Sequence, residues 1–264
     1  MNQTELQKKI RKLPISIRLE DGSIGCIFID YGQILYLESD SNCTLIYVEK
    51  EFKEKDFVKS SEGKNFVKSS KTLKSYDEQL CQDGSFFRIH DSYIVNLQKL
   101  CSFKKGTEKS FVTLTDKTEL KVSRGKKGEL SQIRTSKFPV IRWDEVFYVD
   151  INSILYLEAQ GDRTEFHITG SSSIVSSKNI GFFEPVLAGS LFVRIHDKYI
   201  INLTKVTKYY KGNTAVSSTG KGLPVSTGYA VLNTGKGLPV SRKEDFLSFF
   251  NNKPFNHSKL LLNA

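Results

Sequence analysis

The sequence contains few of the residues from which metal centres and disulfide frameworks are built. Only four cysteines and four histidines occur among 264 residues. The cysteines are dispersed through the first half, with no Cys-x-x-Cys pair: Cys26, Cys43, Cys81 and Cys101. Zinc sites and secreted disulfide scaffolds need closer grouping. We therefore expect free, buried thiols, and we predict no metal site and no cofactor.

Targeting segments and catalytic motifs are also absent. No apolar run approaches the roughly 18 residues of a membrane span, and Met1 to Lys12 lack the apolar stretch of a secretory signal. Neither a Gly-Lys-Ser/Thr phosphate loop nor a Gly-x-Ser-x-Gly elbow occurs. His90-Asp91 and His196-Asp197 are adjacent pairs, but neighbours on a strand point to opposite faces. We expect a cytoplasmic protein that is neither an enzyme nor associated with a membrane.

Positive charge is in excess along the whole chain. Lysine and arginine number 39 against 29 acidic residues, which gives a net charge of +10. Before residue 138 there are 25 basic and 19 acidic residues, and after it 14 and 10, so each half is basic. A basic surface favours phosphate neutralisation with counterion release. An ordinary solvated surface is the alternative.

The chain repeats itself. Phe87 to Leu97 returns as Val193 to Leu203, with eight of 11 positions identical. Two more blocks recur in the same order on either side of it: Ile34 to Glu38 as Ile154 to Glu158, and Lys121 to Arg124 as Pro239 to Arg242. Self-similarity of this kind indicates one domain used twice. We predict domains over 14–136 and 138–250, an N-terminal extension over 1–13 and a C-terminal tail over 251–264.

Each copy has the pattern of a mainly β domain with minor helix. Short β-branched and aromatic runs separated by turn residues predict strands throughout. Helical spacing predicts a helix over Lys71 to Cys81 and a poorer one over Ser177 to Leu187, which contains glycine and proline. Short basic helices are expected at Lys126 to Ile133 and Lys243 to Phe250. Local echoes within 57–70 and 212–241 let two strand registers compete.

The ordered blocks Tyr-Leu-Glu, Arg-Ile-His-x-x-Tyr-Ile-Val/Ile-Asn-Leu and Val-Ser-Arg resemble the LytTR family of DNA-binding domains. The resemblance implies an elongated, mostly β fold that inserts loops into successive major grooves at direct repeats. Family members are response-regulator output domains in bacteria and usually follow a receiver or a membrane segment; we expect neither in this chain. The partners implied are double-stranded DNA and, as a further option, a regulatory protein or RNA polymerase. We expect a monomer in which the two copies act as a pseudo-dimer.

The resemblance implies that the arginine after Val-Ser contacts DNA, here Arg124 and Arg242. A guanidinium can bond guanine O6 and N7 together or clamp a phosphate. A surface arginine paired with a nearby carboxylate is the alternative. Lys126, Lys127 and Lys243 follow these arginines and are expected to neutralise phosphates.

Two further contacts are implied by the resemblance. The position after Arg-Ile-His is Asp91 in one copy and Asp197 in the other, where many relatives carry a basic or amide residue. A carboxylate there can accept from cytosine N4, which predicts base selection; a local cap of the next turn is the alternative. The loop after Tyr-Leu-Glu supplies the third contact, near Asn42 and Arg163, although neither copy has the family's histidine.

The other repeated side chains are expected to be structural. We expect His90 and His196 to bond a nearby loop, Asn96 and Asn202 to stabilise the turn after their strand, and Leu97 and Leu203 to fill the core. Glu158, Asp162, Glu165 and His167 offer ligands for a cation, but copy one has no comparable histidine.

Two other functions are compatible with the sequence. The chain could be a protein-interaction or co-regulator scaffold that has kept the fold but lost base readout, which the two aspartates favour. It could also bind single-stranded nucleic acid through exposed aromatic residues such as Tyr209 and Tyr210.

Overall fold

The computed structural model describes residues 11–18, 21–49, 58–60, 63–82, 84–133, 137–210 and 228–251. Most of the predicted N-terminal extension and C-terminal tail, and the echo at 212–227, lie outside these residues. The chain divides into two compact units, Met1–Thr135 and Ser136–Ala264.

The first unit is built from eleven described strands and two α-helices. Its elements are β1 (Lys12–Arg18), β2 (Ile24–Asp30), β3 (Ile34–Asp40), β4 (Cys43–Val48), β5 (Val58–Lys59), β6 (Asn65–Ser69), α1 (Leu73–Leu80), β7 (Phe86–His90), β8 (Tyr93–Asn96), β9 (Leu100–Lys104), β10 (Ser110–Leu114), β11 (Glu119–Val122) and α2 (Lys126–Gln132). Strands β5-β6-β4-β3-β8-β7 form one sheet in that order. Strands β1 and β2 pair as a hairpin, and β10 pairs with both β9 and β11.

One helix closes the core of this unit. Leu73, Tyr76 and Leu80 recur at helical spacing, and all three are buried on the inner side of α1. They pack against alternating apolar residues of β1, among them Leu13 and Ile15. Burial of each such side chain stabilises the fold by about 1.5–3 kcal/mol. The phenol oxygen of Tyr76, which is buried with them, is hydrogen-bonded to the Ser69 hydroxyl of β6 at 2.7 Å.

The second unit repeats the arrangement. Its elements are β12 (Phe138–Arg142), β13 (Glu145–Val149), β14 (Ile154–Gln160), β15 (Arg163–Ile168), β16 (Ile174–Ser176), α3 (Ile180–Val186), β17 (Phe192–His196), β18 (Tyr199–Asn202), β19 (Val206–Tyr210), β20 (Gly228–Leu232), β21 (Gly237–Val240) and α4 (Lys243–Asn251). Strands β16-β15-β14-β18-β17 form one sheet and β19-β20-β21 another, while β12 and β13 form a hairpin. The mainly β fold class predicted for both copies is confirmed.

Both faces of the central sheet in the second unit are covered. Along β14, Leu157 enters one buried cluster and Tyr156 the other. Along β18, Ile200 and Ile201 divide in the same way, as the two-residue period of a strand requires. With both faces covered, the strand ends and their turns are where functional side chains can reach solvent.

The helices are short, as the sequence predicts. Helix α3 has seven residues against eight in α1 and contains Pro185, and its N-cap is Asn179, whose side chain accepts from the Phe182 amide. In the described residues, none of the helices combines the length and the apolar character that crossing a bilayer requires.

The expectation of buried thiols was wrong in part. All four cysteines are free, but Cys26 is exposed and Cys43, Cys81 and Cys101 are half-buried. Cys26 lies on the exposed face of β2 together with Ile24 and Phe28, and the residues between them, Gly25 and Ile27, are half-buried.

Candidate nucleic-acid interface

Three separate segments meet at one end of the first unit. The amide of Ser39, next to the β3–β4 turn, donates to the Ser92 carbonyl in the β7–β8 turn at 3.0 Å. The amide of Ser123 donates to the Ile89 carbonyl of β7 at 2.8 Å. These bonds bring together the segments that carry Asn42, Asp91 and Arg124.

The second unit brings its own three segments together in the same way. The Ala159 amide donates to the Lys198 carbonyl at 2.8 Å. The amides of Ser241 and Arg242 donate to the Ile195 carbonyl at 2.9 and 3.0 Å. The turns that carry Arg163, Asp197 and Arg242 therefore share one end of the domain.

The β3–β4 and β14–β15 turns are two-residue hairpin loops. Asp40 pairs with Cys43 in the first unit, and the corresponding loop in the second is Gly161–Asp162. The first loop residue has positive φ in both, 53° at Ser41 and 65° at Gly161. Glycine adopts this backbone freely, whereas serine is strained there. Asn42 follows Ser41 and is exposed.

In each unit an arginine is hydrogen-bonded to the backbone of the turn that contains Asp91 or Asp197. Arg88 donates to the Asp91 carbonyl at 2.9 Å and to the His90 carbonyl at 3.3 Å, and it pairs with Asp77 at 3.0 Å. The ring nitrogen Nδ1 of His90 accepts from the Ser92 amide at 3.1 Å. The expected structural role of this histidine is confirmed.

The second unit has the same arrangement of hydrogen bonds. Arg194 donates to the Asp197 carbonyl at 3.0 Å and pairs with Glu184. Nδ1 of His196 accepts from the Lys198 amide at 3.1 Å, which confirms the role expected for that histidine.

The repeated Asn-Leu pair has the structural role predicted for it. The side chain of Asn96 accepts from the Gln98 amide and donates to the Ile34 carbonyl at 2.8 Å. Asn202 makes the matching pair of bonds, to Thr204 and Ile154. The leucine that follows each asparagine is buried.

The two candidate arginines differ in their surroundings. Arg124 is exposed, and within the described part of the chain its guanidinium has no bonded partner. Arg242 donates to Glu184 Oε1 at 3.1 Å and to Asp197 Oδ1 at 3.3 Å. The interpretation as a surface arginine paired with a carboxylate therefore describes Arg242 and not Arg124.

Neither aspartate caps the turn that follows it in the described residues, because the histidine ring accepts the turn amide in each unit. Asp91 is exposed, and no described side chain is bonded to its carboxylate. The carboxylate of Asp197 is also largely exposed but is bonded to Arg242. In the first unit Arg124 and Asp91 are not paired among the described residues, whereas in the second unit Arg242 and Asp197 form an ion pair.

The three candidate lysines lie beside these arginines. Lys126 pairs with Glu129 at 2.7 Å and lies over the Phe87 ring. Lys127 donates to the Gly106 carbonyl at 3.0 Å. Lys243 is exposed at the start of α4.

Two residues of this surface in the second unit were not expected from the sequence. Trp143, the only tryptophan of the chain, is 65% exposed with φ 45°, and the Arg163 guanidinium lies 5.2 Å from its ring centre. The position of Trp143 between two runs of β-branched residues could have indicated that it lies in a turn. Lys198 is exposed beside Asp197, and the alignment of the copies shows it in place of Ser92.

The aromatic residues considered for single-stranded nucleic acid are engaged in packing. The ring of Tyr209 lies 5.2 Å from that of Phe246. Tyr210 stacks on Tyr229 at 5.0 Å. These contacts disfavour that alternative.

Comparison with known proteins agrees with the duplication. The family model described as LytTr DNA-binding domain matches residues 25–134 and again 144–244. A solved structure described as the LytTr DNA-binding domain of a methyl-accepting/DNA response regulator from Bacillus cereus is 18% identical, with a TM-score of 0.35. The match covers 47% of this chain and 97% of that structure. No curated protein matches the chain.

Proposed function

The chain belongs to the LytTR family of DNA-binding domains, and on that premise we propose that it is a sequence-specific regulator of transcription that binds double-stranded DNA. The domain type is that of a response-regulator output domain. In this proposal the two domains read adjacent direct-repeat half-sites through loops in the major groove.

The observation that carries the proposal is the convergence of three candidate segments at one end of each domain. In the first domain, hydrogen bonds hold the Asp91 turn beside both the Asn42 loop and the Arg124 segment. An exposed guanidinium beside an exposed carboxylate offers a donor for guanine and an acceptor for cytosine. Lys126 and Lys127 add positive charge next to them for the phosphates.

Two domains on one chain raise the effective concentration of the second domain once the first is bound. Only residues 133–137 separate the end of α2 from the start of β12, so the connection between the two domains is short. We expect binding to weaken strongly when the half-sites are moved apart by half a helical turn, because the second domain then faces the other side of the duplex. Equal affinity for both spacings would contradict joint reading.

The proposal is tested by titrating duplex DNA selected from a random pool at several salt concentrations. We expect affinity to fall steeply as salt rises, and Arg124→Ala to cost about 1–3 kcal/mol. Lys117→Gly is the matched control: it removes one positive charge at the opposite end of the β10–β11 hairpin, at φ 68° where glycine is unstrained. Equal losses in the two variants would indicate general charge attraction rather than a specific contact.

A protein-interaction scaffold is the second candidate, and one observation favours it. Arg242 is bonded to two carboxylates, so the second domain presents less free positive charge than the first. A scaffold predicts weak duplex binding that the choice of sequence does not change, and the same titration measures it.

A further inference from the structure

A group of metal-ligating side chains lies on one face of the β14–β15 hairpin in the second domain. Glu158 and Glu165 are directly opposite each other in the register, and Tyr156 is opposite His167. One ligand atom from each of Glu158, Glu165 and His167 lies within 4.8 Å of the others. The group is about three-quarters buried.

Two carboxylates face each other across this strand pair. Like charges directly opposite on neighbouring strands destabilise a sheet unless a cation lies between them. Nε2 of His167 lies 3.3 Å from Glu158 Oε2 and 3.7 Å from Glu165 Oε2. The three atoms thus surround a small common point that favours positive charge.

The histidine nitrogen in this group is not satisfied by hydrogen bonding. Nε2 of His167 is shielded from solvent and has no hydrogen-bond partner in the described part of the chain. Oε2 of Glu158 and Oε2 of Glu165 lie beside this nitrogen at ion-pair distance, without meeting hydrogen-bond geometry. A buried nitrogen left in this state costs about 1–3 kcal/mol.

Neighbouring side chains hold the three groups in place. The His167 ring stacks on Tyr156, with centres 4.1 Å apart and planes at 12°. Tyr199 donates to Glu158 Oε1 at 3.3 Å, and burial raises the pKa of the Tyr199 phenol, which keeps it a donor. Ser173 donates to Glu165 Oε1. Supporting bonds of this kind orient the ligands of metal sites.

We propose that Glu158, Glu165 and His167 form a binding site for Zn²⁺. Imidazole nitrogen and carboxylate oxygen are both ligands that Zn²⁺ takes, whereas Mg²⁺ and Ca²⁺ take oxygen ligands. Zinc bonds of about 2.0–2.2 Å in a tetrahedron place ligand atoms about 3.4 Å apart. The separations of 3.3 and 3.7 Å from Nε2 are close to that value. A fourth position is left for water.

Zinc here would connect the two strands that lead into the Gly161–Asp162 turn, and it would neutralise the opposed carboxylates. The site does not depend on DNA binding, so either proposal can fail without the other. This proposal departs from the sequence prediction of no metal site, and the proposed ligand set does not include Asp162.

The first domain supplies a natural control. Its equivalent hairpin pairs Glu38 with Leu45 and Tyr36 with Tyr47, and those two tyrosines stack with centres 4.3 Å apart. The double variant Glu165→Leu, His167→Tyr therefore gives the second domain the same two cross-strand pairs, Glu with Leu and Tyr with Tyr, that the first domain has in its folded state.

The experiment is calorimetric titration of the full chain, after treatment with a chelator, with zinc, magnesium or calcium chloride. We expect saturable binding of about one zinc per chain, a rise in melting temperature with zinc, and no saturation by the other two ions. The double variant should lose the binding. Tyr199→Phe, which keeps all three ligands, should weaken it about tenfold or more.

Three outcomes would overturn the proposal: no saturable zinc binding by the native chain, unchanged zinc binding by the double variant, or equal binding of magnesium or calcium. A melting curve without metal checks that each variant is folded. If the double variant does not fold, the single variant Glu165→Gln, which keeps the side-chain shape, takes its place.

Discussion

The substitution Glu184→Asp is expected to increase the affinity of the second domain for DNA. Glu184 accepts from both Arg194 and Arg242. Its counterpart in the first domain, Asp77, is one methylene shorter and pairs with Arg88, while Arg124 remains without a bonded partner among the described residues. Shortening Glu184 should keep its pair with Arg194 and break its pair with Arg242, which then retains only the bond to Asp197.

The size of the effect follows from the exposure of the groups. Arg242 donates to Glu184 at 3.1 Å and to Asp197 at 3.3 Å, and their side chains are 36%, 41% and 83% exposed. Ion pairs that solvent reaches contribute about 0.2–1 kcal/mol each. Loss of the Glu184 contact should therefore lower the free-energy cost of freeing Arg242 for DNA by about 0.2–1 kcal/mol. This corresponds to a complex about 1.4- to fivefold tighter.

Fluorescence anisotropy of a labelled duplex measures this change. Glu184→Asp conserves net charge, so the salt dependence should remain the same while the affinity rises. The reciprocal variant Asp77→Glu should weaken binding by a similar factor, because it gives Arg124 a carboxylate within reach. Variants that move affinity in the same direction would contradict the reasoning.

A double-mutant cycle separates the release of Arg242 from other effects of the shorter side chain. In an Arg242→Ala background, Glu184→Asp should leave affinity unchanged, since no arginine remains to be released. A gain that persists in that background would refute the mechanism.

Three further predictions concern the turns and the buried asparagine. Ser41→Gly should raise the free energy of unfolding of the first domain by about 1 kcal/mol in a urea titration, because φ 53° suits glycine. Gly161→Ala should lower the free energy of unfolding of the second domain. If both changes have the opposite sign, the loops are not strained. Asn96→Ala should destabilise by about 3 kcal/mol, since Asn96 is 1% exposed and bonds two carbonyls and one amide; a loss below 1 kcal/mol would contradict this. Emission from Trp143 should change when duplex binds beside Arg163, and unchanged emission would place the DNA elsewhere.

The repeat made much of the architecture predictable. Blocks such as Arg-Ile-His and Val-Ser-Arg recur in the same order, so two copies of one mainly β domain follow from the sequence. Helix α1 was predictable because Leu73, Tyr76 and Leu80 have the period of one helical face. Strand β1 was not predicted from the sequence, because Pro14 disfavours a strand. In the described residues β1 pairs only with β2, so it is an edge strand, and a proline is tolerated in an edge strand.

The sequence was enough to locate the candidate DNA-binding surface, but not to predict the ion pairs that its side chains make. The positions of Arg124 and Arg242 follow from the repeated block that contains them, whereas their difference depends on Glu184, which is 58 residues from Arg242 in the chain. The approach of His167 to Glu158 depends in the same way on strand register.

The sequence by itself determined that this chain is one domain used twice, with positive charge in both halves and an arginine after each Val-Ser. Those properties are local in the chain, so composition, period and repetition reveal them. Only the tertiary structure decided which arginine is paired, that Ser41 has a left-handed backbone, and that two glutamates face a histidine. Each of these depends on how close atoms from separate strands, helices and turns come, which the local sequence does not determine.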